Sequence, residues 1–235
     1  MQTIIEGFRN AFLLIVHLNP ELTGIIVLSL KVSGIALLMA TAVGLPIGTV
    51  IGLKRFPARG LIISTLNSFM GLPPVVVGLF VYLLLSRSGP FGFMGLLYSP
   101  SAMIVAQSIL ALPIVAALSH AAIVKVDPLV HQASRTLGAT PFQVSRAIIK
   151  EARYGIMAAV IAALGRVMAE VGAILIVGGN IAGYTRVMTT TIALETDKGE
   201  FELAIALGII LLLISFLINI VLYLIQKKGA LQTGQ

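Results

Sequence analysis

Arg166 and Glu170 are the two residues whose types and spacing most invite chemistry. They lie four apart within an otherwise apolar stretch, on one helix face with Ala158 and Ala162. An ionised group in such surroundings costs several kcal/mol unless it pairs or meets water. An i,i+4 ion pair turned into a bundle meets that cost. The pair either fixes helix packing or belongs to a gate or a path through the bundle. The other reactive side chains do not form a constellation. His17, His120 and His131 are too scattered to ligate a common metal, and Cys is absent. No HExxH, GxSxG or GxxxxGK[ST] pattern occurs, so no zinc protease helix, nucleophile elbow or nucleotide-phosphate cradle is encoded. The chain is expected to be non-catalytic. If ATP drives its work, the ATPase is another polypeptide.

The elements that must hold this pair are membrane helices. The chain has 235 residues, of which 58% are hydrophobic and 11% charged, with mean hydropathy +1.04. Five apolar stretches stand out, at 22–53, 61–85, 102–124, 155–177 and 203–225. Each reaches the roughly 20 residues that span a bilayer core. The expected fold class is an all-α integral membrane protein with five transmembrane helices. A single membrane domain over 22–228 follows an amphipathic segment, 1–21, and precedes a tail, 229–235. In the amphipathic segment, Ile4, Phe8, Phe12 and Ile15 recur every three to four residues. A helix over 3–17 is expected, lying on the membrane surface or packing on the bundle.

Charge placement sets the expected orientation. Of the sixteen Lys and Arg, ten fall in the loop 54–59, the loop 125–153 and the pair Lys227 and Lys228 just before the tail. Arg9, Arg87, Arg186 and Lys198 lie on the other side. The richer side is cytoplasmic, which puts the N-terminus outside and the C-terminus inside. The net charge of +7 is therefore a topology signal, and nucleic acid is not an expected partner. Lys31 lies within the first span and is expected to snorkel outward.

The first span exceeds what a crossing needs, so it should tilt, bend near Pro46 or project into the cytosol. Ala36, Ala40, Gly44, Gly48 and Gly52 recur every four residues along it. Such a row admits another helix at close range, within the chain or across subunits. Pro73 and Pro74 predict a kink or break in the second span, and Pro113 a kink in the third. Broken helices at membrane depth suit a conduit lined by protein or water.

The loop 125–153 is punctuated for two short helices. Asp127 caps the first, with Pro128 at its first position and Gly138 as its stop. Thr140 caps the second, opened by Pro141. The run Gln132-Ala133-Ser134-Arg135-Thr136-Leu137-Gly138-Ala139-Thr140-Pro141 resembles the EAA loop of importer-type ABC-transporter permeases. Gln132, Ala133 and Ser134 take the EAA positions, Gly138 is in place and Ile148 follows ten residues later. Lys150 and Glu151 replace the Leu and Pro that end the family pattern. Similarity to the family extends from about Ser29 to the last span. At residues 169–202, AEVGA, GGN, GYT and the ending ALET resemble molybdate and sulfate permeases, and VGGNI with TRVMTTTI looks most like tungstate permeases.

That resemblance implies a type I ABC importer permease fold and a homodimer with a central conduit. It implies a cytoplasmic ABC ATPase dimer carrying ATP-Mg, and a periplasmic or lipid-anchored tungstate-binding protein. It places the chain in a bacterial or archaeal cytoplasmic membrane, among lipid. Residues Ala139 to Ser145 would be the coupling helix, with Phe142 as an apolar anchor. Molybdate or sulfate is the alternative cargo. A passive channel, a secondary transporter and an integral membrane enzyme are more distant readings. After Asn180 a short helix over 187–196 is expected to dip back and lead into the last span. After Gly183, the run Thr185, Arg186, Thr189, Thr190 and Thr191 could offer hydroxyls and a cation to an oxyanion, and Asn180, Thr185, Arg186, Thr189 and Thr190 join Arg166 and Glu170 as candidates for a translocation path or gate. The same threonines could instead cap and back-bond within their own helix.

Overall fold

The computed structural model describes residues 9, 13–17 and 19–232, with side chains as far as Lys227. Ten α-helices occur among the described elements from Pro20 onward: α1 (Pro20–Leu53), α2 (Arg59–Met70), α3 (Pro74–Leu85), α4 (Pro100–Val124), α5 (Pro128–Thr136), α6 (Pro141–Glu151), α7 (Arg153–Met168), α8 (Gly172–Gly178), α9 (Met188–Lys198) and α10 (Phe201–Gln232). Three of these, α1, α4 and α10, are each long and apolar enough to cross a membrane. The pairs α2–α3 and α7–α8 raise the number to five if each is counted as one broken span. They bend by 100° and 60° at their breaks. The Pro73-Pro74 expectation is met by a full break at 71–73. The break in the fourth stretch, at 169–171, had no proline to announce it. Pro46 and Pro113 sit inside helices that continue through them.

Helices α1 and α4 run side by side in the same direction. Ser108 Oγ donates to Ala36 O at 3.3 Å. Gly44 faces Leu112 O and Val115, Gly48 faces Ala116 O and Ser119, and Gly52 faces Ile123. The small-residue row is therefore an intrachain seam, in which glycine's missing Cβ lets the backbones approach. This register makes the C-terminal ends of α1 and α4 level. At 1.5 Å per residue, α1 then overhangs the start of α4 by about 12 Å. The length by which α1 exceeds α4 thus lies at its N-terminal end. Leu22 and Ile25 on the overhang pack against Met188, Ala206 and Leu207. Lys31 is exposed and close to the level of Met103, near the start of α4.

The expected helix over 3–17 falls mainly outside the described residues. The part that is described is helical over 13–16, and Leu14 and Ile15 pack on the cluster around Leu22 and Leu207. The expected tail begins inside α10, which continues to Gln232.

Candidate functional site

The break between α7 and α8 holds the costly pair. Arg166 Nη1 donates to Glu170 Oε2 at 2.8 Å. Helix α7 ends at Met168, however, so Glu170 lies beyond it, and the shared helix face expected from the spacing is corrected. The carboxylate ties the two half-helices together, because its Oε1 accepts from Ala173 N at 3.2 Å in the first turn of α8. A carboxylate suits that place, since the unpaired N–H groups at a helix start carry partial positive charge. Glu170's backbone oxygen accepts from Thr189 Oγ1 on α9 at 2.7 Å. Gln107 Nε2 on α4 donates to Val167 O at 3.1 Å. Four helices thus meet at one break. The two charges differ in surroundings: the Glu170 side chain is 4% exposed and that of Arg166 37%. Glu170 is held in the protein, while the guanidinium reaches its edge.

The two breaks are neighbours. A Cβ on Gly172 would strike Val75, and one on Gly78 would strike the backbone of Ala173. The half-helices α3 and α8 therefore start side by side, next to Glu170. Gln107 is seven residues into α4, which puts this junction about 10 Å below the start of that helix. Gln107 Oε1 is buried without a partner among the described residues, on the wall of a small cavity shared with Ser29, Ser33 and Thr189.

Helix α2 has no buried residue, although it lies against α4 between Arg59, near His120, and Met70, in the cluster with Ala111 and Ile114. It exposes Ser64, Asn67 and Ser68 at three- to four-residue spacing. The stretch carries no formal charge, so these three do not stand out in the sequence as Arg166 and Glu170 do. Their sequence signal is weaker: neutral polar residues inside an apolar span.

The segment 178–198 is arranged otherwise than an anion-presenting run would be. Thr185 Oγ1 donates to Gly178 O at 2.6 Å and accepts from Ile181 N. Thr190 Oγ1 and Thr191 Oγ1 both donate to Val187 O. With Thr189 bound to Glu170 O, all four hydroxyls face backbone; Thr190 and Thr191 cap and back-bond within their own helix, while Thr185 and Thr189 reach backbone outside it. Asn180 adopts φ +49° and donates Nδ2 to Thr190 O at 3.4 Å. Arg186 lies 3.8 Å from Glu21 and 4.0 Å from Glu195, with Lys198 at 3.0 Å from the same Glu195 carboxylate. The cation expected to meet an oxyanion is thus flanked by two carboxylates.

The loop 125–153 folds as its punctuation requires. Asp127 Oδ1 accepts from Leu129 N at 2.8 Å and caps α5. Gly138 holds φ +78°, a conformation that favours glycine, and Ala139 N returns to Ser134 O at 3.1 Å. Thr140 and Gln143 form a reciprocal capping box at the start of α6. Gln132 and Ala133 lie exposed on α5, and Ser134 Oγ donates to Val130 O. On α6, after Pro141, Ser145 Oγ donates to Pro141 O, and Val144 is buried. Phe142 is 76% exposed, and Leu137 of the linking turn is exposed as well. Among the described residues no group of three or more His, Cys, Asp or Glu could hold a metal.

Residues 44–229 match the family model described as binding-protein-dependent transport system inner membrane component. The chain is 43% identical over 228 residues to the tungstate uptake system permease protein TupB of Peptoclostridium acidaminophilum, covering 97% of this chain and 100% of the other. It is 36% identical to TupB of Campylobacter jejuni, covering 95% and 94%. Among solved structures, a chain of the MetNI methionine ABC transporter in an inward-facing conformation superposes with TM-score 0.69 at 19% identity, covering 86% and 93%.

Proposed function

The chain belongs to the family of binding-protein-dependent transport system inner membrane components, and from that membership we propose that it is the membrane-spanning permease subunit of an ATP-driven tungstate importer. The observation that carries the cargo is similarity to tungstate permeases along nearly the whole chain. Two copies form the conduit, a cytoplasmic ATPase dimer supplies the energy, and a periplasmic or lipid-anchored binding protein delivers the anion. The N-terminus lies outside and the C-terminus in the cytoplasm, a placement supported by the cation-rich loops.

The geometry supports a division of labour within the chain. The exposed Phe142 and Leu137, carried on a capped helix–Gly–helix unit, suit a rigid knob that an ATPase groove can grip. Movement of that knob travels along α7, which follows α6 with only Ala152 between them. At the far end of α7 stands the Arg166–Glu170 junction. There a change in the angle between α7 and α8 alters how the half-helices meet. The pair acts as the latch of a rigid-body motion. The exposed Ser64, Asn67 and Ser68 give α2 a polar face suited to a water-filled path or to the second copy. The anion need not be held tightly in this subunit, because conduction favours sites weak enough to release it.

A passive channel or secondary transporter would have no use for the loop's docking knob. Reconstitution with and without the ATPase and binding protein tests the reading. Tungstate uptake should require both partners and ATP, and should resist competition by excess sulfate. Partner-independent uptake would refute it. Preferential uptake of molybdate or sulfate would keep the importer and replace the cargo.

A further inference from the structure

Residues 86–99, between α3 and α4, carry the most exposed aromatic group of the described chain outside a helix long enough to span. Phe93 is 86% exposed, and Phe91 and Met94 beside it are about half exposed. Such a cluster on a water-facing loop would carry a free-energy cost with nothing to offset it. The loop is not free to turn away. Phe91 N donates to Leu84 O at 3.0 Å, which folds the loop back along the last turn of α3. Gly89 and Gly92 make this possible: a Cβ on Gly89 would strike Leu83 O and Leu84 O, and one on Gly92 would strike Ser86 O and Arg87 O. From behind, Leu96 and Leu97 pack into the core cluster with Met103 and Val177, and Tyr98 N donates to Val177 O at 2.9 Å. Phe91, Phe93 and Met94, within or beside the 3-10 turn Gly92–Met94, are therefore held at the flank of α3.

We infer that this loop is a membrane-interface anchor, whose Phe91, Phe93 and Met94 insert among lipid headgroups and the first acyl carbons at the rim of α3. Three observations select lipid over a protein. The cluster continues the exposed face of α3, formed by Val76, Leu79, Phe80, Leu83 and Leu84. That face carries no Gly, Ala, Ser or Thr, the residues that let membrane helices pack closely, because the one glycine of α3 is spent on Ala173. Between Gly60 and Val124 the only charge is Arg87. The rim of the cluster carries one cation and the hydroxyls of Ser88 and Tyr98 but no acid, and an apolar tip so bordered suits the bilayer boundary, where aromatic rings collect.

The chain contains no Trp, so a single indole is a clean reporter. Phe93→Trp, with Met94→Trp as a second site should the first fail to fold, is reconstituted as full-length protein in vesicles. The vesicles hold phosphatidylcholine brominated near the headgroup, brominated at the acyl-chain ends, or unbrominated. The expected result is loss of most indole emission with headgroup-proximal bromine, a smaller loss with chain-end bromine, and little quenching by aqueous iodide. Strong iodide quenching without bromolipid quenching would overturn the inference. So would an emission shift on adding the anion-binding protein, which would make the loop a docking surface. Bromolipid quenching that fades as protein density rises would assign the cluster to a second copy and overturn it as well.

Discussion

At Glu170 one carboxylate serves two partners of different kinds. Oε2 meets the Arg166 guanidinium and Oε1 meets the Ala173 amide. Glu170→Gln keeps an acceptor for the amide and removes the charge. A pair with one partner 37% exposed is partly screened, so the loss should be about 1–3 kcal/mol, below that of a wholly buried pair. A double-mutant cycle with Arg166→Gln should give a coupling of at least about 0.5 kcal/mol, read by thermal unfolding in detergent. Additive effects would mean that the pair is not a unit. The threonines make a different point at the same scale. Their spacing offered hydroxyls to a ligand or to the backbone, and only the folded chain chose the backbone. Thr185→Val should therefore destabilise the protein by about 1–3 kcal/mol through the orphaned Ile181 amide and Gly178 carbonyl, measured in the same unfolding assay.

Among elements, the α1–α4 seam depends on glycine where the backbones cross. Gly48→Ala puts a methyl group onto Ala116 O and should cost about 1–3 kcal/mol. Gly34→Ala, on the same helix with open space around it, should be neutral or stabilising by up to about 1 kcal/mol. Equal effects of the two substitutions would mean that the seam does not depend on close approach. The loop helices obey a second constraint. Gly138 has room for a side chain but the wrong φ for one, so Gly138→Val should cost about 1–2 kcal/mol in local strain. Gly138→Asn, which tolerates that conformation, should be milder. Co-purification of the ATPase should be reduced by the valine variant and largely kept by the asparagine variant. Identical recovery of the ATPase from both would dissociate the turn from coupling.

For the whole molecule, the proposed function gives the chain a path and a lever, while its sequence holds no phosphate cradle. Purified alone it should hydrolyse no ATP, and ATP turnover should appear only with the partner ATPase, as measured by phosphate release. Turnover by the chain alone would end the division of labour. Helix α2, with no buried residue and a polar face, is what a half-assembly should expose. Asn67→Leu should lower tungstate uptake while leaving the unfolding temperature of the isolated chain little changed. A matched fall in both would make Asn67 structural.

Much of this architecture is written locally. Five apolar stretches, the Pro73-Pro74 break and the Asp127, Gly138 and Thr140 punctuation could be read residue by residue, because hydropathy, missing amides and capping act within a few positions of the chain. The site was legible only in its ingredients. Arg166 and Glu170 announced themselves by their cost in an apolar span, but spacing alone put them on one helix. Tertiary structure placed Glu170 in a break instead. That break is fixed by Gln107, Thr189 and the start of α3, each distant in sequence. Such contacts leave no periodic trace. They arise because Gly78 and Gly172 let two half-helices meet, and because the polar groups freed at a helix end must find partners once water is excluded.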